Sequence, residues 1–233
     1  MSVPSEKTQK RGRLIMAANS IGNVRDIPAR SLLAVQTADL VIFEEDRGAR
    51  LILKSAGVHR EYWRYSEHRQ EETLDKLKET LAAGKTAVYM SDQGVPGVAD
   101  PGSALLELAY HLNAVVQVVP GPSSVQSALS ACPFLGGSYF YAGFLPRESD
   151  KRIAKLQELD RLHTTLVILD TPYRIHALIE DCVTAFGDRR QALLAVDISG
   201  THENFLVSSL KNLKELAAHF EEKLNFVLII QSA

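Results

Sequence analysis

Two stretches concentrate the residue types from which a small-molecule site is built. Ser91-Asp92-Gln93-Gly94-Val95-Pro96-Gly97-Val98-Ala99-Asp100-Pro101-Gly102 holds three glycines, two prolines and two aspartates in twelve residues. That is far more punctuation than a plain connection needs. Pro120-Gly121-Pro122-Ser123-Ser124 repeats the style further along. Glycine permits close backbone approach there, and the serines can cap a following helix, which alone would account for them. Taken together, two Gly- and Pro-rich loops leave backbone N–H and C=O groups facing one crevice. That arrangement suits a small polar ligand carrying an adenine and a ribose.

Such loops need rigid elements to hold them. Short β-branched runs at 14–18, 40–43, 86–91 and 115–119 alternate with longer amphipathic stretches, the grammar of a parallel sheet with crossover helices. Helices are predicted over 26–39, with Asp26 as its N-cap, over 70–83, ended by Gly84, and over 103–112 and 123–131. Both Gly-rich loops follow strands, and in open α/β sheets ligands bind at the carboxyl ends of strands. The texture changes between Pro133 and Pro146, so the reading is two α/β domains, 12–135 and 136–233, with the cofactor cleft between them. The second should carry helices over 148–162, 173–186 and 210–223, and strands over 166–169, 192–196 and 226–230. Met1 to Lys10 is expected to be mobile.

Composition narrows the chemistry. Twenty-six Lys plus Arg against 28 Asp plus Glu give a net charge of -2, so no whole-molecule field draws the chain to nucleic acid or anionic lipid, and any such partner must be held locally. The two cysteines lack a C-x-x-C spacing and the seven histidines never fall at i, i+4, which argues against a metal site. No secretion signal or membrane-spanning run is evident, which places the chain in the cytoplasm without a membrane partner. The first turn, Asn19-Ser20-Ile21-Gly22-Asn23, lacks G-x-G-x-x-G, and no Walker loop is present.

Ser91-Asp92-Gln93-Gly94-Val95-Pro96 with Asp100-Pro101-Gly102, Pro120-Gly121-Pro122-Ser123-Ser124, Ser20-Ile21-Gly22-Asn23, Glu44-Glu45-Asp46-Arg47 and Gly143-Phe144-Leu145-Pro146 stand in one order along the chain. In that set the chain resembles the tetrapyrrole methylase family. Within it, the resemblance is strongest to the bacterial branch that methylates a cytidine ribose 2′-hydroxyl in small-subunit ribosomal RNA. It covers about Gly12 to Ile230. It implies a two-domain α/β homodimer that binds S-adenosylmethionine. Matched position by position, the cofactor residues would be Ser20, Asp92, Gly94, Val95, Pro96, Val98, Ser123 and Ser124, joined by Leu169 and Ala195 from the second domain.

Methyl transfer from a sulfonium needs neither metal nor covalent intermediate. Alignment of donor, methyl and acceptor is worth up to about 7 to 11 kcal/mol. A hydroxyl acceptor also benefits from a general base, for which Glu45, Asp46 and Asp197 are the candidates, against simple pairing of Glu45 and Asp46 with Arg47 or Arg50.

The chain departs from the family in particular places. The proline-threonine-proline of the first turn is Ala18-Asn19-Ser20 here, and lysines beyond Pro146 are replaced by Glu148 and Asp150, while Arg152 is kept. Arg174 is also kept, but an arginine and a lysine are lost at Val196 and Gly200. Phosphate contacts from the second domain would be weakened by these losses. Arg147, Lys151, Arg152 and Lys155 could touch RNA or form a solvated face, and Tyr62, Trp63, Tyr65 and His68 could line an acceptor pocket or pack between strand and helix. Tyr139, Phe140 and Tyr141 read as core or dimer contact. The expectation is a methyltransferase acting on a ribose of ribosomal RNA or the small subunit. The alternatives are methylation of a small tetrapyrrole-like heterocycle, or a catalytically impaired cofactor-binding protein.

Overall fold

The strand sequences at 13–17, 40–43 and 86–90 are apolar at nearly every position because both faces of their sheet are covered there. The computed structural model describes residues 11–65, 69–98, 102–220 and 223–233. It divides into two units, Met1–Pro122 and Ser123–Ala233. The division falls ahead of the Pro133–Pro146 stretch at which the sequence changes texture, so the helix after Ser123 belongs to the second unit.

In the first unit β1 (Arg13–Ala17), β2 (Leu40–Phe43), β3 (Trp63–Arg64), β4 (Thr86–Met90) and β5 (Val115–Val119) form one sheet in the order β3-β2-β4-β1-β5. All its pairings are parallel. Helices α1 (Ala29–Thr37) and α2 (Asp46–Ala56) supply Val35 and Ile52 to one core with Ile15, Val41, Phe43 and Val88. Helices α3 (Gln70–Ala82) and α4 (Ser103–His111) supply Leu77, Leu81 and Leu105 to another with Leu14, Met16, Ile42 and Tyr89. Successive side chains of a strand point to opposite faces, so one strand feeds both cores. The first helix is shorter than predicted: Asn23 caps a 3-10 turn over Val24–Asp26, and Pro28, not Asp26, is the N-cap of α1.

The second unit comprises α5 (Ser124–Ser130), β6 (Tyr139–Phe144), α6 (Ser149–Asp160), β7 (Thr165–Asp170), α7 (Ile175–Phe186), β8 (Gln191–Val196), β9 (Asn204–Ser209), α8 (Leu210–Ala217) and β10 (Phe226–Ile230). Its sheet runs β6-β7-β10-β8-β9. Only β6 and β7 are parallel; β10 runs antiparallel to β7 and β8, and β9 antiparallel to β8. The parallel grammar read from the first four strand runs therefore holds, and the second sheet is mixed. Leu156, Leu178, Ile179 and Leu213 of α6, α7 and α8 bury one face against Leu166, Ile168, Leu194 and Leu228, while α5 packs on β10.

Candidate active site

Four loops leave the carboxyl ends of β1, β2, β4 and β5, and they meet. Asn19, only 3% exposed, is the junction. Its side-chain amide donates to the carbonyls of Ser91 (3.2 Å) and Asp92 (2.7 Å), and its Oδ1 accepts from the Ser20 N–H. Its own N–H donates to the Gly94 carbonyl, and the Gly94 N–H to the Ser20 carbonyl. From the β2 side, Glu44 Oε2 accepts from the Asp92 N–H at 3.1 Å. From the β5 side, the Pro122 carbonyl lies 3.4 Å from where a Cβ on Gly94 would stand, while a Cβ on Gly121 would fall 2.5 Å from that of Ala18. Glycine at 121 is thus required by chain packing on chain. At Gly94, φ is +72°, a conformation that glycine adopts without strain.

This junction holds Ser20, Asp92 and Gly94 together, with Val95 half-buried, Pro96 buried and Val98 exposed on the same loop. Asp92 is the electrostatic centre. Partial burial, followed by the Glu45 charge, pushes its carboxyl above the ordinary value, against the Glu45 N–H and the Arg47 charge. Two neighbouring carboxylates opposed by one guanidinium leave an excess of negative potential, which a cation would relieve. A sulfonium and an α-ammonium are such cations, and ribose hydroxyls can donate to the same carboxylate. The residues present therefore fit an adenosyl sulfonium.

The remaining candidates lie as follows. Asp46 accepts from Arg64 (2.8 Å) and from the Tyr62 hydroxyl (3.1 Å). Asp197, at φ +46°, accepts from the His202 N–H (2.7 Å) and lies so close to Gly200 that a Cβ there would collide with it, so this carboxylate organises its own loop. Glu45, the N-cap residue of α2, is exposed, and its carboxylate makes no hydrogen bond among the described residues. In the second unit, Ser123 caps α5 by accepting from the Gln126 N–H, and Ser124 is the first residue of that helix. Leu169 and Ala195 flank Val227 in one row of the second sheet. Asp100 and Pro101 lie outside the described residues, as does His68.

Two sets of residues read as substrate contacts have structural partners. Tyr65 is buried edge-to-face on Tyr89, and Tyr62 meets Phe43 the same way, which is the packing alternative. Arg152 is buried, bound to Asp181, and donates to the carbonyls of Pro146 and Arg147; Arg174 binds Asp170 and the Leu145 carbonyl. Lys151 and Lys155 pair with Glu148 and Glu158. Sequence reading did not single out Asn19, Glu44 or Gly48 as site residues. The available signals were a polar residue directly after a buried strand and a glycine in the first turn of a helix.

Residues 13–214 match the model of the Tetrapyrrole (Corrin/Porphyrin) Methylases, and the chain belongs to that family. It is an S-adenosylmethionine-dependent methyltransferase. Among curated proteins it is similar to Ribosomal RNA small subunit methyltransferase I of Thermotoga maritima, 29% identical over 91% of this chain and 93% of the other. It is also similar to the protein of that name from Mesorhizobium japonicum, 32% identical over 87% of this chain and 69% of the other. Among solved structures, diphthine synthase superposes with a TM-score of 0.71 at 15% identity, covering 94% of this chain and 90% of that one. Cobalt precorrin-4 methyltransferase superposes with 0.68 at 15% identity, covering 94% of each. At those identities the superpositions establish the fold.

Proposed function

We propose that the chain methylates a ribose 2′-hydroxyl of ribosomal RNA in the small subunit. The observation that carries the chemistry is the convergence of four strand-end loops on the half-buried, electronegative Asp92. Similarity over nearly the full chain to enzymes named for the small ribosomal subunit supports the acceptor.

When bound, S-adenosylmethionine supplies an electrophilic methyl group. Asp92 would offset its positive charge, with Ser20, Gly94, Val95, Pro96 and Val98 beside it in the first unit; Ser123, Ser124, Leu169 and Ala195 are the residues of the second unit that the family resemblance would assign to the same group. Glu45 takes the hydroxyl proton, because its carboxylate is exposed and accepts no hydrogen bond among the described residues, while those of Asp46 and Asp197 are held by chain partners. Work on the ribosome implies a cytoplasmic location. The exposed aromatic side chains Tyr139, Phe140 and Phe144 on β6 support a homodimer.

Mass spectrometry of small-subunit RNA from cells with and without the gene tests this reading, alongside methyl incorporation into isolated subunits by the pure protein. Loss of one 2′-O-methyl group in the deletion strain is the expected result. An unchanged modification map would remove the acceptor and leave cofactor binding intact.

A further inference from the structure

We propose that the outer face of α2 docks the phosphate backbone of the acceptor strand, an inference that rests on RNA being the acceptor. Ala49, Ile52 and Ala56 fix the helix against its sheet. At 100° per residue, Arg47, Arg50 and Lys54 then fall within an arc of about 60° on the opposite side, along about 10 Å of axis. All three are exposed. None forms an ion pair among the described residues; Arg50 reaches only the Tyr62 hydroxyl, and Arg47 acts on Asp92 through its charge. The acidic residues of the same segment are otherwise disposed: Glu44 accepts from the Asp92 N–H, Asp46 is neutralised by Arg64, and Glu45 stands at the amino end of the helix.

The stripe starts at the site. A Cβ on Gly48 would stand 2.7 Å from Asp92 Oδ1, so the first turn of α2 lies against the cofactor loop. An acceptor ribose at that mouth sends its neighbouring phosphates along the helix. On the second unit's helix α6, which carries the other basic run, Lys151, Arg152 and Lys155 each have a carboxylate partner. In a chain of net charge -2, three unpaired cations at regular spacing on a rigid element form a local anion track. A compact heterocycle has no use for cations spread over that length, whereas a nucleic-acid strand carries phosphates along all of it.

The test is binding of a fluorescent single-stranded RNA to the full-length protein across a salt series, for wild type, Arg47→Gln/Arg50→Gln/Lys54→Gln and Lys151→Gln/Lys155→Gln. Each phosphate contact on a single strand contributes about 0.7 to the slope of log K against log salt, so the triple variant should lose about 2 from that slope. It should bind RNA at least tenfold more weakly at low salt, while the Arg50→Gln and Lys54→Gln variants, which leave the charges around Asp92 in place, still register cofactor by calorimetry. The lysine pair should match wild type. Single variants Arg50→Gln and Lys54→Gln, each losing about 0.7, provide the same reading if the triple variant folds poorly. A wild-type slope in the α2 variants overturns the proposal while leaving the acceptor assignment standing. A wild-type protein that neither binds RNA nor methylates small subunits overturns both.

Discussion

The Asn19 side-chain amide donates to the Asp92 backbone carbonyl at 2.7 Å, joining the loop after β1 to the loop after β4. One buried side chain therefore sets the position of the residue that gives the site its charge.

Replacing Asn19 with alanine would strand the Ser91 and Asp92 carbonyls and the Ser20 N–H in a buried place. Stranded buried polar groups cost about 1–3 kcal/mol. Asn19→Ala should lower the melting temperature and raise the cofactor Kd; calorimetry with S-adenosylmethionine and thermal denaturation check both.

Asp92 carries a stability cost whose sign can be worked out. Its folded-state carboxyl titrates above the ordinary 3.8, because of burial and then the Glu45 charge. The folded state thus holds the proton more tightly, so the favourable contribution is complete below about 3.8 and disappears as pH rises through the raised value. Asp92→Asn should therefore leave the urea midpoint at pH 7 equal or higher while weakening cofactor binding. A parallel loss of stability and binding at pH 7 would contradict this.

Gly121→Ala places a methyl group 2.5 Å from Ala18 Cβ and 2.7 Å from Pro28 Cγ. Overpacking of this kind costs about 1–3 kcal/mol. The expected outcome is a lower denaturation midpoint together with weaker cofactor binding, since the displaced loop abuts Gly94.

Arg152→Ala leaves the buried Asp181 without its guanidinium, a loss of about 3–5 kcal/mol. Lys151→Ala, one residue away on the exposed face, should shift stability by no more than about 0.5 kcal/mol. Chemical denaturation of the two variants side by side provides the comparison.

Burial pushes the Cys182 thiol far above its ordinary range, with the Asp181 charge adding to it. Thiolate is the reactive form. Native protein at pH 7.5 should leave Cys182 unmodified by iodoacetamide, and protein in denaturant should label fully, as read by mass spectrometry.

The first sheet was legible because apolar runs bounded by Gly and Pro mark strands buried on both faces. The two-residue β3 is too short to leave a pattern. In the second unit β9 went unread, since Asn204–Ser209 is an edge strand with mixed burial. Without it, β8, α8 and β10 imitate a parallel crossover, so the strand directions of the second sheet stay hidden in the sequence. Loop composition marked out the stretch that holds Asp92 and Gly94, but the surroundings of Asp46 depend on Arg64, a partner that the paired strands β2 and β3 bring near. The same holds for Arg152, whose type suggested phosphate and whose Asp181 partner comes from another helix.

On the outermost strand β6, the register with β7 shifts between Tyr141 and Gly143. An unbroken aromatic ribbon along a sheet border invites indiscriminate lateral accretion, and a kink of this sort interrupts it. The straight run on that strand ends at Tyr141, so this border is a poor template for open-ended strand addition.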